Sequence, residues 1–199
     1  MAICISIVVG KGGAGKTTTC VNLAAAMALD GKKVLVVDTD TQANTTMFLT
    51  SYKLNEKAFA GKGLFDMIRA WGLIDVENYI HKTQIEGIDA IVSNDATPLI
   101  PQQLETLEKV SGIKAEEFLL HALSEVAENY DYILIDAPPT LGCWVMNIMC
   151  ASDYLIIPVE ASPWGLFGLA NMFGKALMGQ TGALKRAGIS FTDAQAEVL

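Results

Sequence analysis

A chain of 199 residues that is 51% apolar and 18% charged has the composition of a folded globular protein, not of a disordered or fibrous one, and is long enough to bury a core without disulfides or metals. A net charge of −8 argues against general affinity for nucleic acid, whose footprint is a basic face, and the late pair Lys185-Arg186 neutralises too few phosphates to supply one. Asp131, Asp136, Asp153 and Glu160 interrupt the most hydrophobic region, so no run of about 18 apolar residues is present and a membrane segment is not expected. The chain starts directly with strand-forming residues and has no basic stretch ahead of an apolar one. The expectation is a soluble, cytoplasmic protein without a signal peptide. Cys4, Cys20, Cys143 and Cys150 show no C-x-x-C spacing and read as reduced, mostly buried thiols. His81 and His121 are isolated and receive no role.

In chain order, residues 3–9 form an apolar, β-branched run that predicts a strand, and residues 18–29 carry a helical pattern rich in Ala and Leu. Between them lies Gly10-Lys11-Gly12-Gly13-Ala14-Gly15-Lys16-Thr17, which satisfies G-x-x-x-x-G-K-[ST]. Its glycines let backbone N–H groups turn inward around phosphate, Lys16 supplies charge for the β- and γ-phosphates, and Thr17 offers a hydroxyl to Mg²⁺. The helix that follows adds its N-terminal dipole. Gly31 stands where a glycine would close that helix.

Lys11 makes the loop more specific, because an ordinary phosphate loop does not require a lysine after its first glycine. The run from Lys11 to Thr18 resembles the deviant Walker A box, K-G-G-x-G-K-[ST], of the ParA/MinD (Soj-like) family of P-loop ATPases. The resemblance implies that Gly10 to Thr18 bind the nucleotide, that Lys16 assists phosphoryl transfer, and that Lys11 neutralises phosphate charge across a dimer interface.

A buried strand is expected over residues 33–37, and the strand–helix–strand unit it completes places Asp38 and Asp40 at the carboxyl edge of the sheet, where ligands bind in open α/β folds. The sequence Asp38-Thr39-Asp40-Thr41-Gln42-Ala43-Asn44 resembles the family's switch I, D-x-D-P-Q-x-N, with Thr41 in place of the usual proline. By that resemblance Asp38 holds the Mg²⁺ hydration shell and Asp40 orients or deprotonates the attacking water. Residues 45–63 read as a loop with a short helix. Leu64, Phe65, Ile68 and Trp71 recur at helical spacing and read as core. Residues 75–82 are ambiguous, 88–92 alternate as a strand ending at Ser93-Asn94, a helix is expected from Gln102 to Val110, and another over 114–129.

Residues 130–136 form an apolar run ending in Asp136, a Walker B strand whose carboxylate accepts hydrogen bonds from Mg²⁺-bound water and from Thr17. The following Ala-Pro-Pro-Thr-Leu-Gly resembles the family's switch II, whose prolines stiffen a loop that senses the γ-phosphate. A helix over 143–150 and a strand over 154–159 come next. Residues 160–163 are expected to form a loop and 164–178 a helix with small residues. In the weak stretch 181–199, Ile189-Ser190-Phe191 is strand-like and Asp193 is placed to cap a terminal helix.

The whole implies a single P-loop ATPase domain over 1–199, α/β, with a three-layer, mainly parallel sheet flanked by helices, shorter at its C-terminal end than the family's usual members. The expected metal ligands are Thr17, Asp38 and Asp136, the cofactors ATP and Mg²⁺, and the reaction ATP to ADP and phosphate, slow and partner-stimulated. The resemblance further implies an ATP-dependent homodimer, a ParB-like stimulating partner and a use in plasmid or chromosome partition; DNA as a partner is unsupported by charge. One alternative is a regulatory module that binds nucleotide with little turnover. Another resembles the nitrogenase iron protein, with Cys143 after switch II as a cluster ligand, but residues 82–130 hold no second cysteine, leaving two ligands where four are needed.

Overall fold

The computed structural model describes residues 1–51, 59–73, 75–140 and 142–159. Six strands form one sheet: β1 (Ile3–Ile7), β2 (Val34–Asp38), β3 (Ile80–Lys82), β4 (Ile88–Ile91), β5 (Tyr132–Asp136) and β6 (Tyr154–Ile156). Their spatial order is β3-β4-β2-β5-β1-β6. All neighbours run parallel except β3, which pairs antiparallel with β4 at one edge. Parallel strands need crossovers, and helices over both faces supply them.

The strand sequences explain the three layers. Val34 and Val36 of β2 join a cluster with Cys20, Ala24, Leu49 and Leu134 on one face, whereas Leu35 and Val37 join Phe118, Leu104, Ile133 and Ile135 on the other. A strand that is apolar at every position, as Val-Leu-Val-Val is, finds a core on both sides. The first face is covered by α1 (Lys16–Leu29) and α2 (Asn44–Thr50). The second is covered by α3 (Leu64–Arg69), α4 (Ile100–Ser111), α5 (Phe118–Val126) and α6 (Cys143–Cys150). Each fully buried Leu, Ile or Phe here contributes about 1.5–3 kcal/mol relative to exposure.

α1 ends where expected: Gly31 takes φ 77, a left-handed conformation glycine adopts without cost, and its N–H donates to the Ala28 carbonyl at 3.0 Å. Gly63 precedes α3 for a different reason. A Cβ there would collide with the Asn94 amide nitrogen, and that amide donates to Asp66, which also accepts the Gly63 N–H.

Two helices depart from the sequence expectation, and the strand expected over 154–159 is shorter, Tyr154–Ile156. The helix expected over 114–129 is a nine-residue α5 between two 3₁₀ turns, Ala115–Glu117 and Ala127–Asn129. The cause is tertiary: Asn147 of α6, fully buried, accepts the Leu119 N–H at 2.8 Å and donates to the Ala115 carbonyl, so a side chain takes bonds that a longer helix would make with itself. Trp71 lies beyond the end of α3 rather than within it, yet still packs edge-on against Phe118 with ring centroids 5.3 Å apart. The ambiguous segment 75–82 resolves into a 3₁₀ turn followed by the antiparallel edge strand β3. Among the described residues no helix is long and apolar enough to cross a membrane. The loop, helices and strand-like stretch expected beyond residue 159 lie outside the described residues.

Candidate functional site

Strands β1, β2 and β5 are adjacent and parallel, so their carboxyl ends converge: Ile7 is in register with Asp136, and Asp38 with Asp136 from the other side. The phosphate loop leaves β1, the D-x-D segment leaves β2, and the aspartate ending the Walker B run closes β5. The three motifs read separately from the sequence therefore meet at one edge, as open parallel sheets dictate.

The loop carries left-handed backbone at Gly13 (φ 73) and at Gly15 (φ 86), the residue that precedes the first turn of α1. Side chains at those positions would be strained. Lys16 is buried and its Nζ donates to the Lys11 carbonyl at 3.0 Å, a bond that folds the ammonium back over the loop. Burial lowers the Lys16 pKa, while Asp136 and then Asp40 oppose that fall. The loop thus holds a charge ready to transfer to a phosphate oxygen.

Asp136 is 1% exposed. Its Oδ2 accepts two hydroxyl hydrogen bonds, from Thr17 at 2.7 Å and from Thr45 at 2.6 Å. Its Oδ1 is buried and has no hydrogen-bond partner among the described residues. Burial raises the pKa of this carboxyl, the bonds from Thr45 and Thr17 and the charge of Lys16 pull it down, and Asp40 pushes it up. An orphaned buried carboxylate oxygen is costly unless something else meets it.

Asp38 is equally buried, and both of its oxygens accept hydrogen bonds. Its Oδ2 accepts the Thr46 N–H and hydroxyl, both at 2.7 Å, and its Oδ1 accepts the Asp40 N–H at 3.1 Å. Burial nonetheless carries its pKa to about 7, against the pull of the Thr46 bonds and with a push from Asp136. Asp40 closes an Asx turn by accepting the Gln42 N–H at 3.0 Å, and its own carbonyl accepts the Ser93 hydroxyl at 2.7 Å.

Sequence reasoning missed the residues that tie these motifs together. Thr45 and Thr46, in the first turn of α2, reach the two aspartates; Thr39 donates its hydroxyl to the Asp136 carbonyl at 2.6 Å; and Ser93, just after β4, bridges Asp40 and Thr97. Trp144 of α6 donates its indole N–H to the Thr39 carbonyl at 3.4 Å. The available signal was two adjacent threonines directly behind a carboxylate pair at the start of a helix.

The donor set fits a hydrated magnesium ion bound with phosphate. Mg²⁺ takes one or two protein oxygens and keeps water and phosphate for the rest, and the Thr17 hydroxyl with the unmatched Asp136 Oδ1 offers that much. Among the described residues no group of three or more His, Cys, Asp or Glu side chains forms a metal cage.

The chain is similar to known proteins over most of its length. The AAA domain family model AAA_31 matches residues 2–179. The sporulation initiation inhibitor protein Soj of Bacillus subtilis is 40% identical over 168 residues, which are 84% of this chain and 62% of that protein. The chromosome-partitioning ATPase Soj of Treponema pallidum is 34% identical over 185 residues, covering 92% of this chain and 68% of the relative. Among solved structures, Cyanothece McdA in its apo form superposes with a TM-score of 0.78 at 27% identity, over 92% of this chain and 68% of that one. A substituted McdA solved with ATP gives 0.77 at 25% identity, over 96% and 66%. The chain spans about three fifths of the length of the first curated relatives it matches.

Proposed function

This chain belongs to the ParA/MinD family of P-loop ATPases, and from that premise we propose that it is a nucleotide switch: it binds ATP with Mg²⁺, dimerises in that state, and hydrolyses ATP to ADP and phosphate. The observation that carries the reading is Asp136, held by Thr17 on one oxygen and unmatched on the other, beside a phosphate loop whose Lys16 rests on a backbone carbonyl. That edge has the geometry of a site completed by phosphate and a cation. The ATP complex of the McdA relative supports the choice of nucleotide.

Each residue has a task in this account. The loop N–H groups from Gly12 to Thr18 and the start of α1 receive the β- and γ-phosphates. Lys16 exchanges the Lys11 carbonyl for phosphate oxygen, and the Lys11 side chain neutralises the partner's phosphate in trans. Asp40 orients the water that attacks the γ-phosphorus and takes up its proton as the bond to the β–γ bridging oxygen breaks. Thr17, Asp38 and Asp136 hold the cation and its hydration shell. When bound, Mg²⁺ neutralises charge that develops on the phosphoryl oxygens. Turnover is slow and stimulated by a ParB-like partner, the use is plasmid or chromosome partition in the cytoplasm, and residues 1–199 act as one P-loop domain.

Two substitutions test the assignment in opposite directions. Lys11→Ala abolishes the ATP-dependent dimer while mononucleotide binding, measured by calorimetry, persists; a dimer that survives removes the in-trans role. Asp40→Ala leaves a stable ATP-bound dimer and lowers phosphate release by about 10²–10⁴-fold, the range of a lost general base. Undiminished release refutes its catalytic role.

A further inference from the structure

We propose that Thr45 is a positioning residue for the cation: from the first turn of α2 it pins the Asp136 carboxylate so that Oδ1 stays turned to the side where the cation binds. The inference rests on the nucleotide and Mg²⁺ reading above and adds to it a residue outside every motif of the sequence.

The carboxylate of Asp136 has two oxygens and two donors, and both donors fall on the same oxygen. Thr45 Oγ1 donates to Oδ2 at 2.6 Å and Thr17 Oγ1 donates to it at 2.7 Å, while Oδ1 has no partner among the described residues. A carboxylate with donors on one side only has one preferred orientation, and here it presents a bare, buried oxygen. The two donors are not equivalent. Thr17 lies in the phosphate loop and is itself a candidate ligand, so its oxygen is shared between cation and carboxylate. Thr45 belongs to a separate element, is 1% exposed, and its hydroxyl is directed at Asp136 across 91 residues of chain.

The placement of Thr45 is built, not incidental. The residue that precedes the first turn of α2, Ala43, takes φ 50 and is completely buried, an uncommon conformation for a residue with a Cβ. Its N–H donates to the Asp40 carbonyl at 3.0 Å, and that carbonyl also accepts the Ser93 hydroxyl at 2.7 Å. The tight entry sets two successive hydroxyls against two different carboxylates, Thr45 on Asp136 and Thr46 on Asp38. Cation binding at Asp136 and the position of α2 are then linked, and linkage makes the coupling reciprocal. Partners that orient a ligand group tune metal affinity by about 10–100-fold.

The test uses Mn²⁺ as a paramagnetic probe in place of Mg²⁺. Binding of Mn²⁺ to the ADP-loaded protein is followed by the loss of the free-ion electron paramagnetic resonance signal, and ADP binding in EDTA is measured by calorimetry. Thr45→Val keeps the shape and deletes the donor; Thr45→Ser keeps the donor and deletes a methyl group. The expected result is Mn²⁺ affinity about tenfold weaker for Thr45→Val and within about twofold of wild type for Thr45→Ser, with ADP affinity in EDTA unchanged in both. Thr45→Ala carries the same expectation as Thr45→Val without placing a methyl group against the carboxylate. Wild-type Mn²⁺ affinity in the donor-deleted variants overturns the proposal. So does a loss that Thr45→Ser fails to restore, or an equal loss of ADP binding in EDTA, both of which mark a packing role. Failure of the wild-type protein to retain Mn²⁺ with ADP overturns the underlying cation reading itself and is told apart by that control.

Discussion

Two aspartates at opposite ends of the same sheet each gather two hydrogen bonds on one oxygen, and they are finished in different ways. Asp89, near the start of β4, accepts Lys82 Nζ at 2.8 Å and the Tyr130 hydroxyl at 2.9 Å. Its charge is met by a cation from the neighbouring strand, in a pair whose lysine is 88% exposed. Asp136, at the end of β5, accepts two neutral hydroxyls, and its second oxygen is buried without a partner among the described residues. The amino end of the sheet is thus closed by the chain's own charges. The carboxyl end concentrates buried Asp38, Asp40, Asp136 and Lys16, and among the described residues nothing meets the second oxygen of Asp136.

The sharpest way to break this comparison is to remove a lysine from each end. Lys16→Ala lowers ATP affinity by about 100-fold, the worth of a charge-assisted phosphate contact, whereas Lys82→Ala leaves it unchanged. Calorimetric titration checks both, and equal losses would dissolve the distinction. Stability gives the next contrast, with opposite signs. Asp136→Asn retains an acceptor for Thr17 and Thr45 and deletes a buried charge whose desolvation outweighs the help of those hydroxyls and of Lys16, so it raises the metal-free unfolding free energy by about 1 kcal/mol. Asp89→Asn deletes one side of an exposed ion pair and lowers it by less than about 1 kcal/mol. Urea denaturation without divalent cation measures both, and the same sign for the two would contradict the account.

A third prediction concerns pH. The folded-state pKa of Asp38 stands near 7 against an ordinary 3.8, so folding favours its protonated form. Its contribution to stability is complete below about pH 4 and is lost as pH rises through 7. The stability of Asp38→Asn relative to wild type therefore improves steadily between pH 5 and 7 and levels off above that, whatever its offset. A difference that stays flat across this window refutes the shift. The smallest effect belongs to the entry of α2. Ala43→Gly removes a Cβ from a backbone at φ 50 and raises the unfolding free energy by about 0.5–1 kcal/mol. Destabilisation there would show that the methyl group packs more favourably than the conformation costs.

The carboxyl edge of the sheet was legible in the sequence because each of its motifs is a run of consecutive residues at a strand-to-loop junction. Parallel topology alone brings Gly10 to Thr18, Asp38, Asp40 and Asp136 to one place. The fold class followed from β2 and β5, which are apolar on both faces. What escaped reading depends on contacts between distant segments. Thr45 meets Asp136 over 91 positions, Thr39 over 97, and Trp144 meets Thr39 over 105. Local pattern can show a donor, as the Thr45-Thr46 pair does, but not which distant acceptor it meets. The interrupted helix around α5 escaped for the same reason, since Asn147 acts on it from 28 positions away.

The measurement that reaches the central claim most directly is the molar mass of the 199-residue chain by light scattering, taken without nucleotide, with ADP, and with ATP and Mg²⁺. The account predicts about 21.3 kDa in the first two conditions and twice that mass only in the third. One mass in all three, with calorimetry showing no ATP bound, would contradict a nucleotide switch at this site.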